Sequence, residues 1–376
     1  MICLALLAAS GNPAFAKIGV EYISSVNSTD NLYADSSSLS DAYSLMSLKL
    51  KLYPLSSVEF IVSGEQSNYR DVAGLSNLLG GAGLAYVPTH KDARLAIYLS
   101  GALHGQLYYN EFKRFNNNYI DLLGSIGYEL SPTLSIRSGI SFKNTTYVIS
   151  GKNKRDHDLF VGGNLTLPGQ NSLDLESGFS FTNCPFKDTL GPPPDPEWPY
   201  SFWAAMTLPE KQTNIRIFYF SPRLSRPMGA KTGINVSFTR QIFQNYDKQW
   251  IGGDSSQFLS PWASVWEGSA ITAGIKSFVL PHFILTANVG YWDKTYFKTI
   301  DDYNSTLAHI IRVDHKDYRR RDWQTKLYFG LQFPIKTRSG VLIEPSANIN
   351  YSNTRSNNKL YQYHNLAITG GVRLRY

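Results

Sequence analysis

The chain has 376 residues, of which 43% are hydrophobic, 14% aromatic and 17% charged, and its formal net charge is +7 at pH 7. Mean hydropathy is slightly polar. That excludes a bundle of membrane helices but suits strands whose apolar and polar residues alternate and average out. The basic balance suits acidic partners. No basic run interleaved with stacking aromatics marks nucleic-acid binding, so no nucleic acid is implied.

Residues 1–16, MICLALLAASGNPAFA, read as a signal peptide. Ile2–Ala9 is an apolar run too short to span a bilayer, and Ala14-Phe15-Ala16 is a small-x-small cleavage site. The basic start of a full signal is missing, as in a truncated leader. Cleavage removes Cys3 and leaves Cys184 alone, so the exported chain has no internal disulfide.

Residues 17–376 read as one domain of strands with a period of two. The first strand is predicted at about Lys17–Val26. Ile120–Leu130 sets Ile120, Leu122, Ile126, Tyr128 and Leu130 against Asp121, Ser125 and Glu129. Leu134–Lys143, Leu173–Phe181, Trp323–Phe333 and Val341–Tyr351 alternate in the same way. Successive strand side chains point to opposite faces, so each run has one oily and one polar face. The last strand, His364–Tyr376, sets Leu366, Ile368, Val372, Leu374 and Tyr376 against Thr369, Gly371, Arg373 and Arg375.

The connections are of two kinds. Tight ones carry Pro, Gly or Ser: Pro54–Ser57, Pro88–Asp92, Ser131–Thr133, Pro168–Asn171, Pro209–Gln212, Pro281–His282 and Lys336–Gly340. Long polar ones are Ser28–Asp41, Asn68–Asn77, Asn110–Asn118, Ile149–His157, Asn183–Tyr200, Tyr246–Glu267, Thr299–Asp322 and Asn353–His364. The long loop Thr299–Asp322 also holds the only tight basic cluster, Arg319, Arg320 and Arg321. If the first strand leaves the cleavage site and the last returns to it, the strand number is even: about sixteen, within roughly fourteen to eighteen. Lys231–Phe243 is strand-like without an obvious partner. Aromatics gather where strands meet loops: Tyr108, Tyr109 and Phe112; Trp198, Tyr200, Phe202 and Trp203; Tyr291, Trp292, Tyr296 and Phe297; Trp323. Such rings are expected as interfacial girdles.

On these features the chain resembles the Gram-negative bacterial outer-membrane β-barrels. The resemblance covers about Lys17–Tyr376 and rests on architecture. It implies an all-β, transmembrane, antiparallel up-and-down barrel with short periplasmic turns and long extracellular loops. It implies location in the bacterial outer membrane, among its lipid and lipopolysaccharide. The closing strand resembles the assembly signal of that class, with Leu366, Ile368, Val372, Leu374 and Tyr376 at the matching alternate positions; Tyr stands where Phe is usual. The resemblance implies insertion by the barrel-assembly machinery. A homotrimer is compatible with the size, although no self-complementary patch is legible.

Catalytic patterns are missing. Asp301 and Asp302, with His309, Asp314, His315 and Asp317 in the same loop, are the nearest approach to a rim lipase or protease. Adjacent acids in an extended segment point apart, and a solvated polar loop is the better reading. The spacing of His309 and His315 matches no structural zinc pattern, and Asp188, Asp195 and Glu197 beside prolines read as a rigid loop rather than a calcium site. No metal and no cofactor is implied.

The polar parity is more informative. It assigns Lys49, Lys51, Arg94, Arg137, Lys143, Arg216, Lys276, Lys326, Arg373 and Arg375 to the lumen, with Glu59, Glu65, Asp121, Glu129, Asp174, Glu176 and Glu344. Charges away from water need water or partners. Arg137 and Lys143 are one hairpin from Asp121 and Glu129, where cross-strand ion pairs are expected. Arg373 and Arg375 would make the periplasmic mouth positive. The expected function is a pore for passive passage of small solutes, with a slight anion preference. The alternative is a barrel that anchors, exports or assembles a surface polymer or protein partner.

Overall fold

The computed structural model describes residues 17–32, 39–88, 94–148, 153–183, 215–244, 266–280, 282–296, 320–357 and 362–376. The strands are β1 (Lys17–Thr29), β2 (Asp41–Leu55), β3 (Val58–Tyr69), β4 (Asn77–Tyr86), β5 (Leu95–Tyr108), β6 (Asn117–Ser131), β7 (Leu134–Tyr147) and β8 (Asn153–Leu167). They continue as β9 (Asn171–Asn183), β10 (Ile215–Met228), β11 (Thr232–Phe243), β12 (Glu267–Leu280), β13 (Phe283–Tyr296) and β14 (Arg320–Gln332). The two-residue β15 (Ile335–Lys336) sits in a turn before β16 (Leu342–Ser356) and β17 (Tyr363–Arg375).

Each long strand pairs antiparallel with the next, β14 pairs across β15 with β16, and β17 returns to β1. Sixteen long strands thus close into a barrel with no free edge. The even number brings Lys17 and Tyr376 to the same rim. The seam is well formed: Val20 N–H donates to the Tyr376 carbonyl and Tyr376 N–H to the Val20 carbonyl, both at 2.9 Å. Deleting Tyr376 removes this closing rung. The fraction of chain recovered as folded, heat-modifiable barrel should fall; normal assembly of the truncated chain would contradict that role.

Alternation explains the wall. The exposed large apolar side chains include Leu48, Val62, Leu84, Leu103, Ile126, Ile140, Val161, Leu224, Ile271, Leu327 and Ile368. In the observed register all of these lie on one face. A continuous apolar exterior of this kind far exceeds the patches soluble monomers expose, and requires lipid.

One rim is made of tight turns and the other of longer segments. At Met228–Thr232 the turn is made by Gly229 at φ +72°, a left-handed conformation that glycine adopts without penalty. At the loop rim Leu32, Tyr69, Leu75, Tyr108 and Phe112 form a buried cluster, with Tyr43, Val72 and Phe115 packed against it. Tyr43 and Tyr69 stack at 4.7 Å. The Asp41 carboxylate fastens this cap by accepting the N–H groups of Ala42, Asp71 and Val72 at 2.6, 3.0 and 3.0 Å. Beside it, in the same rim segment, Arg70 bonds the Asp71 carboxylate and holds that carboxyl below its usual range.

Several expectations are corrected. Tyr108 and Phe112 are not girdle residues; they belong to the inner cap. Tyr291 faces outward, whereas Trp292, one residue on, faces inward. Lys231–Phe243 does have partners, because β11 is an ordinary wall strand between β10 and β12. β8 begins at Asn153, inside the predicted loop Ile149–His157, and β16 runs to Ser356. Both extensions are polar on both faces, so they show no alternation. The turn predicted at Pro209–Gln212 lies outside the described residues, and β9 pairs directly with β10. Also outside them are Trp198, Tyr200, Phe202, Trp203 and Phe297.

Candidate functional site: the charged lumen wall

Register decides which predicted side chains share the inner face. Lys49 and Lys51 on β2 stand beside Glu59 and Glu65 on β3. Asp121 and Glu129 on β6 alternate inward with Arg137 and Lys143 on β7, and with Asp174 and Glu176 on β9. Lys276 on β12 and Lys326 on β14 share that face, as do Glu344 on β16 and Arg373 and Arg375 on β17. Arg94 immediately precedes β5 and continues its inward parity at the turn rim.

Arg216 is the exception. It pairs in register with Phe181 and lies on the outer face, with Phe218 and Phe220. Ile215 and Ile217 mislead the sequence reading. Both are apolar yet point inward, where they are only 5% and 7% exposed. The lumen cation of this strand is Arg223, opposite Asp174. Glu21, His104, Lys154, Asp156, Asp158, Lys294 and Asp322 join the charged wall without having been legible in the sequence pattern. All lie on inward positions. Most are near the loop rim, where polar residues on both faces hide the alternation. The acids and histidines considered as a rim enzyme, Asp301, Asp302, His309, Asp314, His315 and Asp317, lie outside the described residues. So do Asp188, Asp195 and Glu197.

The wall is extensively paired. Lys51 bonds Glu59 at 2.7 Å, Lys154 bonds Asp156 at 2.9 Å, and Arg137 bonds Glu176 at 2.7 Å. Arg137 therefore reaches across β8 to β9 rather than to Asp121 or Glu129. Lys143 does not form the expected ion pair either; its Nζ lies 4.1 Å from the Tyr119 ring centroid. At the turn rim Arg375 grips Glu344 through Nε at 2.9 Å and Nη2 at 2.6 Å, and Arg373 meets Glu21 at 3.3 Å. The expected positive mouth is thus largely neutralised. Lys51–Glu59, Arg137–Glu176, Arg373–Glu21 and Arg375–Glu344 are partly exposed, so each stabilises by about 0–1 kcal/mol; Lys154–Asp156 is more buried. Their effect is to hold long side chains against the wall.

Glycines do the same for rings. A Cβ at Gly290 would overlap the Trp292 ring, one at Gly330 the Tyr328 hydroxyl, and one at Gly178 would sit 2.7 Å from the Tyr219 hydroxyl. With no side chain there, these aromatics lie flat along the wall instead of filling the bore. A cavity of about 380 Å³ is lined by Asn288, Trp292, Lys326, Tyr328, Asn350 and Asn365. A second hollow, about 660 Å³, is bounded mainly by outward Ile97, Leu99, Ile126, Ile140, Leu159 and Phe179, and so lies on the lipid face. Among the described residues no group of three His, Cys, Asp or Glu side chains is placed to hold a metal.

A closed antiparallel barrel with an apolar exterior and a charged interior defines a porin-like barrel of the outer-membrane type. Comparison with known proteins agrees on the fold. No family model and no curated protein matches the chain. Among solved structures, OccAB1 of Acinetobacter baumannii aligns over 96% of this chain and 96% of its own, at 10% identity and a TM-score of 0.50. OccK1 (OpdK) of Pseudomonas aeruginosa aligns over 96% and 99%, at 9% identity and a TM-score of 0.50. CdiB from Acinetobacter baumannii aligns over 95% of this chain but 60% of its own, at 9% identity and a TM-score of 0.51. At these identities the likeness is one of fold.

Proposed function

We propose that the protein is a passive channel for small polar solutes in the bacterial outer membrane, not an enzyme. The observation that carries this reading is the continuous charged and amide-bearing inner face of a sixteen-strand barrel. Barrels of about this strand number are wide enough for a water-filled bore. Side chains flattened by ion pairs and glycines keep to the wall. The fold likeness to OccAB1 and OccK1 is consistent with it.

Selectivity should be weak. Inward acids and bases nearly balance, and several are mutually paired. Among the described residues Lys49, Arg94, Lys143, Arg223 and Lys276 make no ion pair, against Glu65, Glu129, Asp158 and Asp174 on the acid side, so the anion preference we propose is slight. Reversal potentials under a salt gradient test this; a clear cation-selective sign would overturn the anion preference. Glu344→Gln leaves Arg375 uncompensated. It should move the reversal potential further toward anions while changing stability by less than about 1 kcal/mol. An unchanged potential would mean that the Glu344–Arg375 pair lies off the conduction path.

The alternative, a module that anchors or exports a partner, draws on the long segments 184–214, 245–265 and 297–319, which lie outside the described residues. A barrel that purifies alone and conducts small solutes would remove it.

A further inference from the structure

At its loop end, five arginines interrupt the apolar exterior; a sixth outward arginine, Arg226, lies at the turn end of β10. The five are Arg155 on β8, Arg216 on β10, Arg240 on β11, Arg321 on β14 and Arg355 on β16. Each lies within four residues of the loop end of its strand, each takes the outward parity, and each is exposed. They occupy one half of the circumference. Among the described residues, the loop ends of β17 and β1–β7 carry no outward lysine or arginine within the strands; Arg70, directly after β3, continues the outward parity but is paired with Asp71.

Depth explains why arginine is tolerated there. On the lipid face it costs about 2–4 kcal/mol at the midplane but only about 0–1 near the interface. Depth does not explain the one-sided grouping or the uniform choice of arginine. The centre of the strip is built. Arg321 grips Asp293 through Nε at 2.8 Å and Nη2 at 2.5 Å, which leaves its Nη1 edge for a further acceptor, and lies over the Trp323 ring at 5.2 Å. Arg355 sits opposite Trp323 in register, one strand away. Arg240 donates to Ser269 at 3.0 Å. Glu267 and Asp293 offset Arg240 and Arg321 in part, and the strip stays net positive. A guanidinium presents two parallel donors that match phosphate geometry, which an ammonium does not.

We propose that this strip binds the phosphate groups of a phosphorylated glycolipid of the outer leaflet, with Arg321, Trp323 and Arg355 at its centre. The proposal rests on the outer-membrane reading given above. The strip lies at headgroup level, faces lipid and carries the charge complementary to an anionic leaflet.

The test uses the full chain, folded in detergent and titrated with lipopolysaccharide whose lipid anchor is phosphorylated, or with the same lipid after enzymatic dephosphorylation. Binding is read by native mass spectrometry. The phosphorylated form should bind at least about tenfold more tightly, the scale of one charge-assisted contact. The double variant Arg321→Gln/Arg355→Gln should lose that preference, whereas the lumen variant Arg137→Gln should keep it. If the double variant misfolds, Arg355→Gln alone should lower the preference. Equal binding of both lipids, or a double variant that retains the preference, would overturn the proposal. Displacement of the lipid by inorganic phosphate would identify a soluble-anion site instead. A change in oligomeric state without a change in lipid affinity would identify a subunit contact. Conductance is measured separately: a barrel that conducts but shows no phosphate preference refutes this inference alone, whereas recovery of the chain outside the outer membrane refutes the functional reading.

Discussion

Ile368→Arg should destabilise the barrel by about 2–4 kcal/mol, the cost of a guanidinium on the lipid face near the midplane. Ile368 lies mid-strand on β17, is 52% exposed on the outer face and pairs with Ile349 and Ser28. Thr369, the next residue, faces the lumen, where its hydroxyl donates to Asn27 Oδ1 at 2.6 Å. Thr369→Arg loses that bond, worth about 0.5–1.5 kcal/mol, but keeps its charge in the polar bore. Urea unfolding from lipid vesicles, followed by tryptophan fluorescence, should rank Ile368→Arg well below Thr369→Arg. Equal losses would mean that β17 does not have one lipid face and one lumen face. Because the same strand closes the seam, folding yield should fall in the same order.

Gly268→Ala should also be costly. Gly268 is buried at the loop end of β12 with φ +146°, a region that side chains rarely adopt. That backbone alone costs a substituted residue about 1–3 kcal/mol. The new Cβ would overlap the Asp293 carbonyl oxygen and approach the Lys294 Cα within 3.3 Å. Both are backbone atoms of the neighbouring strand, so the β12–β13 rung must shift. Gly274→Ala is the control. Its Cβ would meet the amide side chains of Asn288 and Asn235. These can turn into the bore at small cost. A Gly268→Ala barrel as stable as Gly274→Ala would show that the β12–β13 pairing at that rim gives way more readily than the register implies.

The wall was legible because the bilayer enforces a period of two: β6, β7, β14 and β17 have the faces that their residues predict. The strand count and the closing β17–β1 seam followed from parity and from the common rim of the two ends. What stayed hidden has one physical cause. Beyond the hydrocarbon both strand faces are polar, so Lys154, Asp156 and Asp158 look like loop. Conversely, Ile215 and Ile217 look lipid-facing but pack inside the rim, and that reversed Arg216. Partner choice was less legible still. Arg137 crosses one strand, β8, to Glu176 on β9 because β8 opposes it with Gly162, which has no side chain to block the way. Hairpin neighbours alone could not indicate this. The outward arginine strip joins residues from β8 to β16 and becomes visible only when the sheet is closed.

A bore lined by side chains held to the wall should conduct. Purified, folded full-length protein added to planar lipid bilayers in potassium chloride tests this most directly. Discrete conductance steps with weak ion selectivity are expected, shifted toward anions by Glu344→Gln. Protein that is folded and heat-modifiable but inserts without any conductance step would contradict that expectation.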